Sequence, residues 1–381
     1  MTPNNTWLLS GPWSARYQTT TDSPNCMVFQ LAPVAAEPGP RTEIVAWHRV
    51  GEPGDSYVLA DDGMTTLASP AAGSREPAPP AEHAVMPLAL LAEHQRRWAV
   101  YLPSRITDDA GLFHHVADLG ETVGERPSAT VIGQVIERLP EFSAEIGSHE
   151  CWYFTQDPST EYEHKFTLPQ SIDIYALTRK IADQIGSGRL AHLRPEFGNS
   201  FEMWQFDNYM FEVTGPTADD RGYASFIPRR AGGYVLKRKQ FAADGFARLE
   251  SKLRVPDYLT STAQKRDFLT GLGLATVYLG QFLRTRFDVN VESTVTGHIY
   301  SVMADRCEFA TPQSAPLQQL EIEYLRSRGT ARECRAEIIT ELDDLKGWAA
   351  DYLAAQQILA SPGYLSKFTY LRSLVASEAN S

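Results

Sequence analysis

From residue 160 onward the chain alternates polar and apolar side chains in run after run. In Glu161-Tyr162-Glu163-His164-Lys165-Phe166 two acids and a base recur at every second position. Period-two geometry puts those three on one face of a strand and Tyr162 and Phe166 on the other. A helix would scatter the charges and leave no apolar face. The alternation returns at 233–241, with Lys237 and Lys239 on one face. At 248–255 it sets Arg248, Glu250, Lys252 and Arg254 against Leu249, Leu253 and Val255. Arg284 and Arg286 share a face, and Asp305 sits in the mostly apolar run 299–309. Glu321 and Glu323 alternate with Leu320, Ile322 and Tyr324. Between these runs, 172–185, 260–272 and 331–359 carry apolar residues at helical spacing.

Each strand alone reads as an ordinary amphipathic strand with its charges in water. Together they predict a closed barrel turned inside out, charged within, apolar without, and covered by the helices. Acid-rich strands (Glu161/Glu163 and Glu321/Glu323) flank base-rich ones. Carboxylates hold divalent cations through oxygen, and bases hold phosphate oxygens. An interior that handles metal and phosphate together explains why both are gathered. Arg238, Arg328 and Lys346 read as solvated surface charges. Arg248 reads equally as a site base or as the partner of an acid on a neighbouring strand. The aromatic run 204–211 reads as core more than ligand lining, although its inward members could line an organic substrate.

Residues 1–150 differ in texture. Short strand-like runs at 27–31, 43–50, 56–60 and 97–102 are broken by Pro, Gly or Asp, and 68–84 is a Pro/Ala-rich loop or linker. Helical spacing at 130–139 ends at Pro140. This half is expected to be a β-rich domain, and its role is not legible. His114-His115 offers two imidazoles that diverge in a strand, with no third ligand nearby, and reads as loop or surface rather than a metal site.

Composition narrows the function. The chain has 381 residues, 43% hydrophobic and 22% charged, with net charge −12. That balance speaks against non-specific binding to nucleic acid or to an anionic membrane surface. No apolar run reaches the roughly 18 residues of a membrane span, and residues 1–5 show no secretory signal. Cys26, Cys151, Cys307 and Cys334 are scattered, as in a cytoplasmic protein with reduced thiols.

The C-terminal pattern resembles the CYTH family, the triphosphate tunnel metalloenzymes, over about residues 155–330. The family's ExExK strand stands here as Glu161-x-Glu163-x-Lys165. A helix follows, then Trp204-Gln205-Phe206-Asp207-Asn208-Tyr209, which looks like the family's aromatic-Asp element. A basic strand, Arg248-Leu249-Glu250, a helix, the Arg284/Arg286 strand, Asp305 and Glu321-Ile322-Glu323 complete the family's order. Where arginine often precedes the motif lysine, this chain has His164, which parity points outward. The resemblance implies an α+β chain in which 151–381 forms an antiparallel eight-stranded tunnel with C-terminal helices, beside the N-terminal domain. It implies Mg²⁺ or Mn²⁺ held by Glu161, Glu163, Glu321 and Glu323, with Asp305 or Glu250 as further candidates. Phosphate would be held by Lys165, Lys237, Lys239, Arg248, Lys252, Arg254, Arg284 and Arg286, and Glu161, Glu163 and Lys165 would form the catalytic centre. The implied activity is metal-dependent hydrolysis of a small-molecule triphosphate or other polyphosphate. The alternatives are ATP cyclisation or isoprenoid diphosphate processing at the same site, or a non-catalytic polyphosphate- or nucleotide-binding module.

Overall fold

The computed structural model describes residues 6–12, 27–31, 42–46, 56–60, 63–66, 85–106, 110–121, 126–142, 153–190, 192–196, 201–217, 220–230, 232–241, 243–255, 257–310, 314–328 and 333–379. Their strands fall into two sheets. The first contains β1 (Thr6–Pro12), β2 (Met27–Leu31), β3 (Thr42–Ala46), β4 (Ser56–Ala60), β5 (Gly63–Thr66), β6 (Val85–His94), β7 (Arg97–Ile106) and β8 (Ala110–Glu121). They are ordered β3-β8-β7-β6-β1-β2-β4-β5. Helix α1 (Ala129–Arg138) begins where the Ser128 hydroxyl accepts the Val131 N–H. It lays Val131, Ile132, Val135 and Ile136 against Trp7, Leu9, Leu88 and Trp98. The expected strand at 43–50 is seen as β3, its remaining residues lying outside the described ones, as does the whole of 68–84. His114 and His115 lie in a strand rather than a loop. The His115 ring pairs with Asp118 at 3.0 Å and packs edge-on to Tyr101.

The second sheet contains β9 (Tyr153–Phe154), β10 (Thr160–Leu168), β11 (Leu193–Pro195), β12 (Glu202–Thr214), β13 (Gly222–Pro228), β14 (Tyr234–Gln240), β15 (Ala247–Val255), β16 (Ala275–Ser293), β17 (His298–Phe309), β18 (Leu317–Arg328) and β19 (Ser361–Gly363). Eight of them close into an antiparallel barrel in the order β10-β15-β14-β13-β12-β16-β17-β18 and back to β10. Closure depends on a stagger in β10: residues 160–162 pair with β15 and residues 163–168 with β18.

The barrel is apolar outside, as the alternation predicts. Helices α2 (Ile174–Gly186) and α4 (Arg335–Ala355) pack Leu177, Ile181, Ile338, Leu342 and Leu345 onto the outward Tyr162, Phe166, Val289, Val302, Leu320 and Ile322. Helix α3 (Thr262–Gly271), opened by a Ser261–Gln264 capping box, places Leu269 against Phe211, Phe226 and Leu236. The three expected helices are therefore present, each shorter than its apolar spacing suggested. A fifth helix, α5 (Lys367–Ala379), belongs to the expected C-terminal helices, although no span was assigned to it, and it behaves differently. Its Phe368 and Leu371 pack on Met210, Tyr223, Phe282, Cys307 and Leu317, which parity turns inward, so α5 fills one end of the barrel.

Two charges expected in solvent are buried. Arg238 faces outward, but its guanidinium donates to the carbonyls of Tyr223, Lys239, Asp220 and Arg221. It thereby satisfies the turn into β13, whose Gly222 has φ +120° and stands too close to the Lys239 carbonyl for any Cβ. Arg328 pairs with Glu292 inside the barrel. Between Ile299 and Tyr300 the β17–β18 register slips, leaving Leu325 unpaired; this bulge reverses the parity of everything after it. Among the described residues no helix is long and apolar enough to cross a membrane.

Leu342 is wholly buried between α4 and the barrel. Leu342→Ala is expected to cost about 2–5 kcal/mol, read as a lower denaturant midpoint. Asp351→Ala, on the exposed side of the same helix, is expected to stay within about 0.5 kcal/mol of wild type.

Candidate functional site

The inner face of the barrel carries a charged chamber lined by seven of its eight strands, all but β17. Its cavity volume is about 50 Å³, because its own side chains fill most of it. Strand β10 supplies Glu161, Glu163 and Lys165; β14 supplies Lys237 and Lys239; β15, Arg248; β16, Arg284 and Arg286; β18, Glu321 and Glu323. Glu250 and Asp305 stand behind this wall, in contact with its bases.

Most of these charges are neutralised across the strand pairs. Directly opposite one another lie Lys165 and Glu321, Glu161 and Arg248, Lys239 and Glu250, and Arg286 and Asp305. Two nodes result. At the first, Glu321 accepts from Lys165 (2.7 Å), Arg284 (3.1 Å), Arg286 (2.9 Å) and Lys367 (2.5 Å). Asp305 there meets Arg284, Arg286 (2.8 Å) and Lys367 (2.9 Å). Burial alone would raise the Glu321 carboxyl; Lys165, Lys367 and Arg284 overcome it and hold the group well below the usual range. At the second, Lys237 lies 2.8 Å from Glu250 and 3.6 Å from Glu161. Lys239 bridges the same two acids. Burial opposes the Lys237 ammonium, yet Glu250 outweighs it and its pKa is raised.

Lys237 lies opposite Lys252, whose side chain is turned out to solvent, and within the chamber one pair breaks the rule. Glu163 lies directly opposite Glu323, and like charges in that position repel. Glu163 is partly compensated by Arg248 and by Lys165 at 2.9 Å. Glu323 has no ion pair or hydrogen bond among the described residues. Burial first, then Glu161 and Glu163, push its carboxyl up to about 8, against a smaller pull from Lys237. Glu161, Glu163 and Glu323 each present an oxygen within 4.8 Å of the others. Three converging carboxylates, one of them uncompensated, with neither thiolate nor imidazole, suit a hard divalent cation such as Mg²⁺ or Mn²⁺.

Ten of the residues singled out from the sequence thus line one chamber, and Glu250 and Asp305 support it. Lys252 and Arg254 do not reach it. They lie farther along β15 where it meets solvent, and the Lys252 side chain is 61% exposed and turned to Glu250 at 2.9 Å. Asp207 points outward and accepts from Gln281 at 3.0 Å; its neighbour Asn208 faces the chamber instead. Sequence reasoning missed Asn208, Tyr223, Ser225 and, most consequentially, Lys367. Parity along β12 and β13 was available for the first three. Nothing local marks Lys367, the first residue of α5, as part of a site some 200 positions upstream.

The two ends of the barrel differ. Helix α5 fills one. At the other, Glu196 accepts from Asn290 (2.8 Å), Arg326 (2.7 Å) and Tyr153 (3.2 Å), which crosses the β16–β18 side. The β12–β15 side of that end, where Trp204, Lys252 and Arg254 meet solvent, is the mouth.

No protein-family model and no curated protein matches the chain. Among solved structures it is similar to the S. pombe RNA triphosphatase Pct1, with 10% identity over 61% of this chain and 90% of that one and a TM-score of 0.22. For the same enzyme in complex with the Spt5 CTD the figures are 10%, 50%, 78% and 0.21. The di-domain ARO/CYC StfQ from the steffimycin biosynthetic pathway gives 9%, 100%, 91% and 0.15. Likenesses this distant carry no functional weight, and the chemistry must be read from the chamber itself.

Proposed function

We propose that this chain is a divalent-cation-dependent phosphohydrolase acting on a triphosphate or related polyphosphate inside the barrel. The observation that carries the reading is the convergence of Glu161, Glu163 and Glu323 on a wall formed by Lys165, Lys237, Lys239, Arg248, Arg284 and Arg286. The three carboxylates would hold Mg²⁺ or Mn²⁺, which supplies positive charge at phosphate oxygens and favours attack by water. The bases, fixed on rigid strands and screened from bulk water, hold the remaining phosphate oxygens and are oriented before substrate arrives. Lys165 stands between Glu163 and Glu321, where it can pass from a carboxylate to a phosphate with little movement. A pure anion binder would gain nothing from three acids converging among its bases, and this favours an enzyme over a binding module.

Phosphate release from tripolyphosphate, ATP and a prenyl diphosphate, each with Mg²⁺, Mn²⁺ or EDTA, tests the proposal. Metal-dependent turnover of a triphosphate is expected, falling about 100-fold or more in Glu163→Gln and in Arg284→Ala, with both variants still folded by circular dichroism. Turnover that survives EDTA, or is unaffected in Glu163→Gln, would reject it; turnover of the prenyl diphosphate alone would move the reaction to isoprenoid chemistry.

Glu323 gives a second prediction, in pH. Its carboxyl is raised from 4.5 to about 8 on folding, so between those values the folded chain binds the extra proton. Stability of the metal-free protein attributable to Glu323 therefore falls as pH rises through that window. Glu323→Gln is expected to flatten this part of the stability–pH curve. Calorimetric Mg²⁺ affinity is expected to rise as pH passes 8 in the wild type, because the ligand must lose its proton, and to rise less in the variant.

A further inference from the structure

Strand β12 turns Glu202, Trp204, Phe206 and Asn208 to one side, and Asn208 lines the chamber. Trp204 therefore stands on the inner face at the mouth. It lies directly opposite Arg286, as Phe206 lies opposite Arg284, and the Arg284 guanidinium is 5.9 Å from the centre of the Phe206 ring. The Trp204 N–H donates to Glu202 at 2.9 Å, which anchors the edge of the indole. The residue is 43% exposed, and no other ring packs on it among the described residues. An anchored tryptophan with an open face beside a phosphate-facing arginine offers a rigid, flat apolar surface with a polar edge at the mouth.

We propose that Trp204 is the stacking platform for a planar organic group on the substrate, so that the chamber selects nucleoside triphosphates over free tripolyphosphate. This rests on the phosphohydrolase reading and narrows its substrate class. Because α5 fills the inner end, a phosphate chain enters from the mouth with its free terminus first. Whatever is esterified to the other terminus stays at the mouth, one strand away from the last arginine. There a base stacks on the indole face. Asp288, diagonal to Trp204 across the β12–β16 pair, is buried and has an oxygen without a hydrogen-bond partner among the described residues. It can accept from a hydroxyl or amino group of the nucleoside. A prenyl chain fits less well, since it needs an enclosed apolar space. Here the inward apolar cluster is already occupied by α5, and the rest of the chamber lining is mostly charged or polar.

The test compares ATP with tripolyphosphate in the full-length wild type, Trp204→Ala and Trp204→Phe, all with Mg²⁺. Trp204→Ala is expected to lower kcat/KM for ATP on the order of tenfold, as loss of one base–aromatic stack does, and to leave tripolyphosphate within about twofold. Trp204→Phe should keep most of the ATP activity. Equal losses on both substrates, or no loss on ATP, overturn the proposal while leaving the phosphohydrolase reading intact. If no triphosphate is hydrolysed, the hydrolase reading fails. Calorimetric binding then decides: ATP affinity weakened in Trp204→Ala with tripolyphosphate affinity unchanged supports the stacking site, and any other pattern, including no binding of either, overturns it.

Discussion

The constraint on which this structure depends is the neutralisation of charges that have been taken out of water. A buried carboxylate or ammonium without a partner costs several kcal/mol, and removing one member of a buried pair costs about 3–5 kcal/mol. The barrel meets that cost through register. Because strand neighbours are fixed to the residue, an acid on one strand finds a base directly across on the next: Glu161 with Arg248, Lys165 with Glu321, Lys239 with Glu250, Arg286 with Asp305. A slip of one residue anywhere would turn those charges outward and bury leucines among them. The pairs therefore contribute less to net stability than to specifying one register among several.

Seen this way, the Glu163–Glu323 pair is the informative exception. Elsewhere most of the lumen's charges have been balanced by its own side chains, and here two carboxylates face each other with a third alongside. Folding alone does not require that arrangement, since a glutamine at 323 would keep the shape without the repulsion. A cluster kept at electrostatic cost in a largely balanced lumen could hold a positively charged ion, as the proposed function requires. The end closed by α5 adds direction. Lys367 brings a seventh base from outside the barrel to the node around Glu321 and Asp305, so the positive wall continues to the closed end and the mouth remains the way in.

Much of this was legible in the alternation of residues, for a definite reason. Period two is robust where a strand is regular, and Glu161, Glu163, Lys165, Lys237, Lys239, Arg284, Arg286, Glu321 and Glu323 all lie on regular stretches. Reading failed where geometry departs from period two or where the strand ends. The bulge at Leu325 reversed parity and carried Arg328 inward. Lys252 and Arg254 have the right parity but sit past the chamber, because parity gives a side and not a depth. Arg238 faces outward as expected, yet a turn folds back over it and uses it to satisfy carbonyls. Lys367 depends on a helix whose role is set by tertiary packing, and no spacing along α5 announces that it will plug a barrel.

In the resting lumen the bases are already engaged by acids, and under the proposed function this shapes how a phosphate chain would bind. A chamber of unpaired bases would repel itself, so the acids are what allow the bases to be held at close range before substrate arrives. When a polyphosphate takes over contacts to Lys165, Arg284 and Arg286, it leaves Glu321 and Asp305 with fewer partners and adds negative charge beside Glu161, Glu163 and Glu323. The chamber then becomes net negative unless a cation enters with it. A divalent ion at the three converging carboxylates restores the balance, and it does so most effectively once phosphate is present. On this reading cation and phosphate binding are coupled through the lumen's own charge balance, each strengthening the other by the same factor, with no conformational change needed to link them.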